Sequence, residues 1–171
     1  MKNGKHSTSN IQHPTSNEWV VGGCEFNEGD ANGRKFDLEE RLLEFTSAVI
    51  DLTEKLPSSR AGNHVAGQIL RSGTSPYPNH GEAEAAESRE DFIHKLKICL
   101  KELRETRRWA RLINHKQWAK GNPTLLFVLR ESEELIRIFF SSVQTAQKNI
   151  TAEKSRRPTA ARYPAGAGEA G

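Results

Sequence analysis

The sequence predicts an all-α protein: an antiparallel, up-down, left-handed four-helix bundle flanked by disordered tails. Three observations indicate this fold. Apolar residues in the central part of the chain recur at spacings of three and four, which places them on one face of a helix. Prolines, glycines and asparagines divide this region into four stretches, and none alternates like a β-strand. Short connections between helices favour antiparallel neighbours with a left-handed twist.

The 171-residue chain divides into three parts by composition. Residues 1–35 are rich in Ser, Thr, Asn and Gly, and residues 151–171 are rich in Ala, Gly, Pro and Arg. Neither segment carries enough apolar surface to offset the conformational entropy lost on folding, so both are predicted to be disordered. Residues 36–150 carry nearly all of the Leu, Ile, Phe and Val and form the predicted bundle.

The first predicted helix carries one continuous apolar stripe. It begins at Asp37, where Glu40 completes an acidic version of the capping box, and it ends before Pro57. Leu43 and Ile50 lie one step round the helix and are expected to widen the stripe. The stripe consists of Leu38, Leu42, Phe45, Val49, Leu52 and Leu56.

Capping residues mark the starts of the other three helices. Ser58 is the predicted cap of the second helix. Ser88, with Asp91 three residues later, marks the start of the third helix. Asn122 is the predicted cap of the fourth helix, and Pro123 occupies the first helical position, where its missing N–H costs nothing.

The second helix is predicted to be kinked between Gly73 and Pro78. Pro76 and Pro78 have no N–H, and each ring clashes with the preceding turn, so the helix must bend or break. Asn79 is expected to bond to backbone groups freed by the prolines, and His80 is expected to be incidental or at most a rim contact. The "PNHGEAE" stretch is therefore interpreted as a joint between helices.

Two further features predict close or additional packing. Ala66 and Gly67 are small and are expected to let another backbone approach the second helix. The fourth helix is apolar over a wider arc than a small bundle needs, which suggests a second burial surface such as a subunit contact. Its apolar residues are Leu125, Leu126, Leu129, Leu135, Ile136, Ile138, Phe139, Phe140, Val143 and Ile150.

The third helix carries an apolar stripe and a separate basic stripe. The segment Lys95–Lys120 has nine basic and two acidic residues, whereas Asp37–Glu54 has six acidic residues and one basic. The apolar stripe consists of Phe92, Leu96, Cys99, Leu103, Thr106, Ala110 and Ile113. The basic stripe consists of Lys97, Lys101, Arg104, Arg108 and Arg111, at spacings of four, three, four and three. We interpret the basic stripe as the candidate site.

Two interpretations of the basic stripe are open at this point. It can bind the phosphates of RNA or DNA, with the nearby Trp109 stacking on a base or on an arginine. Alternatively, it is a solvated face whose cations pair with acidic neighbours, notably those of the first helix. The second interpretation corresponds to a protein-interaction scaffold that does not bind nucleic acid.

No catalytic constellation stands out, so the protein is predicted to be non-enzymatic, with no cofactor and no metal. Asp91 and His94 have a carboxylate-x-x-His spacing, but the pattern occurs only once, and a di-iron bundle needs it twice. A metal-dependent enzyme using this pair is the weakest of three hypotheses. The cysteines, Cys24 and Cys99, do not suggest a disulfide, and no segment is long and apolar enough for a membrane span. We therefore expect a cytoplasmic protein.

The segment "QILRSGTSPYPNHGEAEAAESREDFIHKLKICLKELRET" resembles bacterial four-helix-bundle proteins related to those encoded in intervening sequences of large-subunit ribosomal RNA genes. The resemblance covers about residues 36–145. It implies a ring-shaped homopentamer. One related branch, the accessory protein of diversity-generating retroelements, is thought to bind nucleic acid and a reverse transcriptase. The motif residues carried over to this chain have an architectural role in the family. They are Arg71, Ser75, Asn79, Gly81 and Glu82.

Together these observations predict a non-enzymatic, homo-oligomeric bundle that binds RNA or DNA through the basic stripe. Its expected partners are further copies of itself, a nucleic acid and, in the alternative, another protein.

Overall fold

The computed structural model describes residues 38–156. Within this range every regular element is a helix, which confirms the all-α prediction. α2 and α3 are two segments of the predicted second helix, so the described chain contains the four predicted helices. The segments are α1 (Leu38–Thr53), α2 (Arg60–Thr74), α3 (Pro76–Glu84), α4 (Arg89–His115) and α5 (Pro123–Arg156).

Both predicted tails fall largely outside the described residues. Residues 1–35 are wholly outside, as is the predicted cap Asp37, and so are residues 157–171. At the other boundary, α5 continues through residues 151–156, beyond the predicted end of the bundle.

The helices enclose one apolar core. α1 packs against α2, α3 and α5, and α4 packs against α2, α3 and α5. Among the described residues α1 and α4 do not pack against each other, so they lie on a diagonal of the bundle. Contacts along α4 and α5 run in opposite directions: Arg89 pairs with Glu153, and Arg107 pairs with Glu133. The up-down order of the whole bundle and its left-handed twist stay predictions.

The predicted apolar stripes face this core. On α4, Leu96, Cys99, Leu103, Thr106, Ala110 and Ile113 are all buried, with Phe92 half-buried at the edge. On α1, the buried residues are Leu42, Phe45, Val49 and Leu52. A buried aliphatic or aromatic side chain contributes about 1.5–3 kcal/mol relative to an exposed one, so these stripes supply the main driving force for the bundle.

Two residues expected to widen the stripe of α1 face solvent instead. Leu43 is 43% exposed and Ile50 is 44% exposed. That part of the prediction is wrong because α1 has helical neighbours on only part of its circumference. Residues one step round from the stripe therefore stay partly exposed to solvent.

Side-chain caps fix two of the helix starts as predicted. Ser88 Oγ accepts a hydrogen bond from the backbone N–H of Asp91 at 3.1 Å. Asn122 Oδ1 accepts from the backbone N–H of Thr124 at 2.9 Å, and Pro123 is the first residue of α5. Each cap gives a partner to a backbone donor that has none within its own helix.

The cap of α2 is Ser59 and not Ser58. Ser59 is extended, with φ −97° and ψ 163°, and its Oγ accepts from the backbone N–H of Gly62 at 3.1 Å. The turn after α1 brings the chain close to this first helical turn, because a Cβ atom on Gly62 would lie 1.9 Å from the carbonyl oxygen of Pro57. Only glycine fits at that position without a shift of the backbone.

The small residues expected to admit a neighbouring backbone are also not the ones that do so. Ala66 is half-buried, and Gly67 is exposed with nothing within 4 Å of an added Cβ. The close approach occurs at Gly73, where an added Cβ would lie 2.6 Å from Cγ1 of Val49. Composition cannot distinguish Gly67 from Gly73, because the difference lies in what α1 places opposite each of them.

The predicted kink in the second helix is confirmed. α2 ends at Thr74, α3 begins at Pro76, and Ser75 lies between them with helical backbone angles. The Asn79 amide nitrogen donates to the Ser75 carbonyl at 2.9 Å and lies 3.2 Å from Ser75 Oγ. This bond spans the break, but the predicted partner of Asn79 is wrong, because the carbonyls freed by the prolines are those of Ser72 and Thr74.

His80 is not incidental. It is buried, and its ring meets Phe139 of α5 edge-on, with the ring centroids 6.0 Å apart. Its Nδ1 lies 3.8 Å from Glu84. The turn between α2 and α3 sets the direction in which α3 leaves, and this direction carries His80 from the expected rim into the core.

Candidate nucleic-acid interface

The basic stripe lies on the solvent-facing side of α4. All five of its residues are exposed, and the Lys101 side chain is 75% exposed. The residues are Lys97, Lys101, Arg104, Arg108 and Arg111. Their spacing gives a row that extends about 21 Å along the helix axis, at 1.5 Å per residue.

The acidic first helix does not neutralise this stripe. Because α1 and α4 lie on a diagonal, the carboxylates of α1 sit across the bundle from the basic stripe. Lys101 Nζ lies 3.4 Å from Glu102 Oε1. Within residues 38–156, none of Lys97, Arg104, Arg108 and Arg111 forms an ion pair with a carboxylate.

Arg71 of α2 engages the two acidic residues that lie beside the stripe on α4. Its Nη2 donates to Glu105 Oε1 at 2.5 Å, and its Nη1 lies 3.6 Å from Glu102 Oε2. Glu102 is only 5% exposed, and its Oε2 has no hydrogen-bond partner within the described chain. A guanidinium from a neighbouring helix therefore offsets charge that would otherwise reduce the positive potential of the stripe.

A groove of about 550 Å³ opens beside the basic stripe on α4. It combines three cationic side chains with one carboxylate, one indole ring and one exposed leucine. Such a surface offers both charge for phosphates and a flat apolar face. The lining residues are Lys101, Arg104, Glu105, Arg108, Trp109 and Leu112. We call this surface the α4 groove.

Contacts from two helices hold the Trp109 ring. The indole is half-buried and packs against the core, and its Nε1 donates to Glu105 Oε1 at 3.4 Å. His64 of α2 meets the indole at an interplanar angle of 81°, with the ring centroids 6.3 Å apart. The two rings are therefore perpendicular and not stacked.

Arg104 has a contact of a different kind. Its guanidinium carbon lies 6.0 Å from the centroid of the Phe140 ring on α5. Phe140 is 47% exposed, so this cation–π contact is at the surface and is worth about 0.5–1 kcal/mol. The guanidinium keeps its charge available because an aromatic ring holds it in place of a carboxylate.

Sequence reasoning found the basic stripe and Trp109 but missed Glu105 and Leu112. A signal for them was present. Glu105, Trp109 and Leu112 recur at spacings of four and three, so they form a second row alongside the stripe.

The other candidate residues, Asp91, His94 and Cys99, do not form a metal or nucleophile site within the described chain. Asp91 is half-buried at the start of α4, and His94 is exposed. Over residues 38–156, no three His, Cys, Asp or Glu side chains are grouped so that they could hold a metal ion. Cys99 is fully buried, and burial raises the pKa of its thiol to about 12, so it is a core residue and not a nucleophile.

Between residues 38 and 156, no helix has the combination of length and apolar character that crossing a bilayer requires.

Residues 34–139 match the family model described as 23S rRNA-intervening sequence protein. The chain belongs to this family. The 23S rRNA-intervening sequence match spans the basic stripe, the α4 groove and the α2–α3 break. No curated protein matches the chain.

A solved structure has a similar fold. It is the crystal structure of a protein with unknown function from the S23 ribosomal protein family of Bacteroides thetaiotaomicron. The two proteins are 34% identical, and their structures superpose with a TM-score of 0.56. The match covers 61% of this chain and 96% of the other.

Proposed function

We propose that the protein is a non-enzymatic, homo-oligomeric bundle of the cytoplasm that binds RNA or DNA through the basic stripe of α4. The observation that carries this proposal is that most cations of the stripe have no carboxylate partner within the described chain. Four exposed cations have no carboxylate partner within the described chain, and the acidic helix α1 lies across the bundle. Unpaired cations in a row are suited to a polyanion, because phosphate contacts release condensed counterions.

Exposed apolar side chains support the homo-oligomeric part of the proposal. Leu126 is 60% exposed on α5, and Leu43 and Ile50 are exposed on α1. Leu43 and Phe127 line a groove of about 590 Å³ between these two helices. This surface is separate from the basic stripe, so self-association through it would leave α4 free and bring several stripes into one particle.

The test is charge reversal on the stripe, measured by fluorescence anisotropy with labelled RNA and DNA over a range of salt concentrations. In the variant Lys101→Glu/Arg104→Glu/Arg108→Glu, we expect binding to be lost or greatly weakened. Each lost phosphate contact lowers the slope of log K against log salt by about 0.7–0.9, so residual binding should show a slope smaller by roughly 2 to 3.

A matched control changes the net charge equally on other faces. Lys55, Arg130 and Lys148 are exposed and lie outside α4, so Lys55→Glu/Arg130→Glu/Lys148→Glu should bind nearly as well as the wild type. Equal loss in both variants would mean that only total charge matters. If neither RNA nor DNA binds, and an acidic protein partner binds instead, the interaction-scaffold alternative holds. Size-exclusion chromatography with light scattering, with and without nucleic acid, tests oligomerisation separately.

A further inference from the structure

We propose that the α4 groove selects single-stranded nucleic acid by stacking one unpaired base against Trp109, with neighbouring phosphates held by Arg104 and Arg108. The inference rests on the proposed function and adds the class of ligand. It starts from the composition of the groove, which combines cations with an aromatic face. Binding to phosphates alone would need only the cations of this surface, and it does not explain the indole of Trp109 or the exposed Leu112 beside it.

The geometry of Trp109 is suited to a stacking platform. The ring is held in place before any ligand arrives, because Glu105 accepts from its Nε1 and His64 contacts it at right angles. Arg71 extends this support, since it donates to the same Glu105 oxygen at 2.5 Å. A preorganised ring loses little conformational entropy on binding, so more of the stacking energy appears as affinity.

The position of the cations favours the same ligand. Arg104 and Arg108 line the groove together with Trp109, and they lie five residues and one residue before it in the chain. Both guanidiniums lie on the N-terminal side of Trp109 along α4, where they can hold consecutive backbone phosphates while a base lies on the indole. The bases of a duplex are stacked and paired inside the helix and do not present a face to a protein surface, whereas unpaired bases do.

Glu105 adds a feature that duplex binding does not explain. Its carboxylate is part of the groove wall, and its charge is offset by Arg71, so it adds no attraction for phosphates. We infer that Glu105 positions Trp109 through the hydrogen bond from Nε1. In the complex, Glu105 would lie beside a base and not beside a phosphate. Arg71 and Glu105 are thus positioning residues, and Trp109 is the contact residue.

The experiment compares an RNA strand of mixed sequence with the same strand annealed to its complement, and a DNA strand with its duplex. Trp109→Ala should weaken single-strand binding about 5- to 150-fold, the range expected for loss of one base–aromatic stack, and should leave duplex binding and the salt slope unchanged. Trp109→Phe keeps an aromatic face and should retain most of the single-strand affinity. Circular dichroism of each variant checks that the helices remain.

Leu112→Ala is the matched control, because it removes apolar surface from the same groove without removing a π-face. It should change single-strand binding much less than Trp109→Ala does. Equal weakening of single strand and duplex by Trp109→Ala, or no weakening of either, would overturn the proposal. So would a Trp109→Phe variant as weak as Trp109→Ala.

Failure of this inference is distinguishable from failure of the proposed function. If charge reversal on the stripe abolishes binding but Trp109→Ala does not affect it, the protein binds phosphates without reading bases, and only the stacking proposal fails. If charge reversal leaves nucleic-acid binding unchanged, or if an acidic peptide binds the groove and no nucleic acid does, both proposals fail.

Discussion

Gly73 of α2 packs so closely against Val49 of α1 that a Cβ atom at Gly73 would lie 2.6 Å from Val49 Cγ1 and 2.8 Å from Cγ2. Both residues are buried. The absence of a side chain at Gly73 therefore sets the distance between α1 and α2 just before the break at Ser75. This contact lies two residues before the break, and α1 also packs against α3, the segment that follows it.

Replacing this glycine should destabilise the bundle. Gly73→Ala forces Val49 to move within a filled core, and we expect the free energy of unfolding to fall by about 1–3 kcal/mol. Gly67→Ala is the matched control, since it is also within α2 but has open space around it. It should raise stability by about 0.5–1 kcal/mol through helix propensity. Urea unfolding followed by circular dichroism measures both changes.

A double variant tests the cause of the Gly73→Ala effect. If the clash with Val49 is responsible, then Gly73→Ala/Val49→Ala should be more stable than the sum of the two single changes allows. Simple additivity would show that the strain arises somewhere other than at Val49.

Substitution of the α2 cap should distinguish two adjacent serines. Ser59→Ala removes the acceptor for the Gly62 N–H and should cost about 1 kcal/mol. Ser58→Ala, one residue earlier, should change the free energy of unfolding by less than about 0.5 kcal/mol, as an exposed site away from such features does. A larger effect at Ser58 than at Ser59 would contradict the capping geometry.

Arg71 should stabilise the fold, because it forms an ion pair with the buried Glu102 carboxylate. In Arg71→Met, Lys101 is the remaining cation beside Glu102 within the described chain. We expect the free energy of unfolding to fall by about 1–3 kcal/mol, because the buried Glu102 carboxylate, whose Oε2 has no hydrogen-bond partner, also loses its ion pair with Arg71 at 3.6 Å. Adding Glu102→Gln should recover part of this loss in thermal or urea unfolding. No recovery would mean that Arg71 contributes through Glu105 or through packing and not through Glu102.

Cys99 should be inert until the protein unfolds. Burial raises the pKa of its thiol from the ordinary value of 9.0 to about 12, and its Sγ donates to the Pro76 carbonyl at 3.5 Å. The folded chain keeps this proton where the unfolded chain loses it. The resulting stabilisation is present below pH 9 and is lost as the pH rises from about 9 towards 12.

Alkylation kinetics check this prediction. In a Cys24→Ser background, Cys99 is the single thiol, and its modification by iodoacetamide should accelerate with added urea in step with unfolding. Modification of the native protein at the rate of a free thiol would contradict the burial of Cys99.

Helical periodicity determined much of this protein. The spacing of the apolar residues identifies the residues of α1 and α4 that are buried, because the position of a side chain around one helix depends only on its own residue count. The caps at Ser88 and Asn122 and the break before Pro76 are equally local, since each follows from hydrogen-bonding groups within a few residues. The basic stripe of α4 likewise follows from the spacing of its cations along a single helix.

The tertiary structure decided everything that depends on residues distant in the chain. It made Gly73 and not Gly67 the close contact, left Leu43 and Ile50 in solvent, and buried His80 against Phe139. It also placed α1 across the bundle from α4 and joined Arg71, Glu105 and Trp109 into one wall of the groove. These outcomes depend on side-chain volumes and charges meeting across helix interfaces, and the period of a single helix contains no information about what lies opposite it.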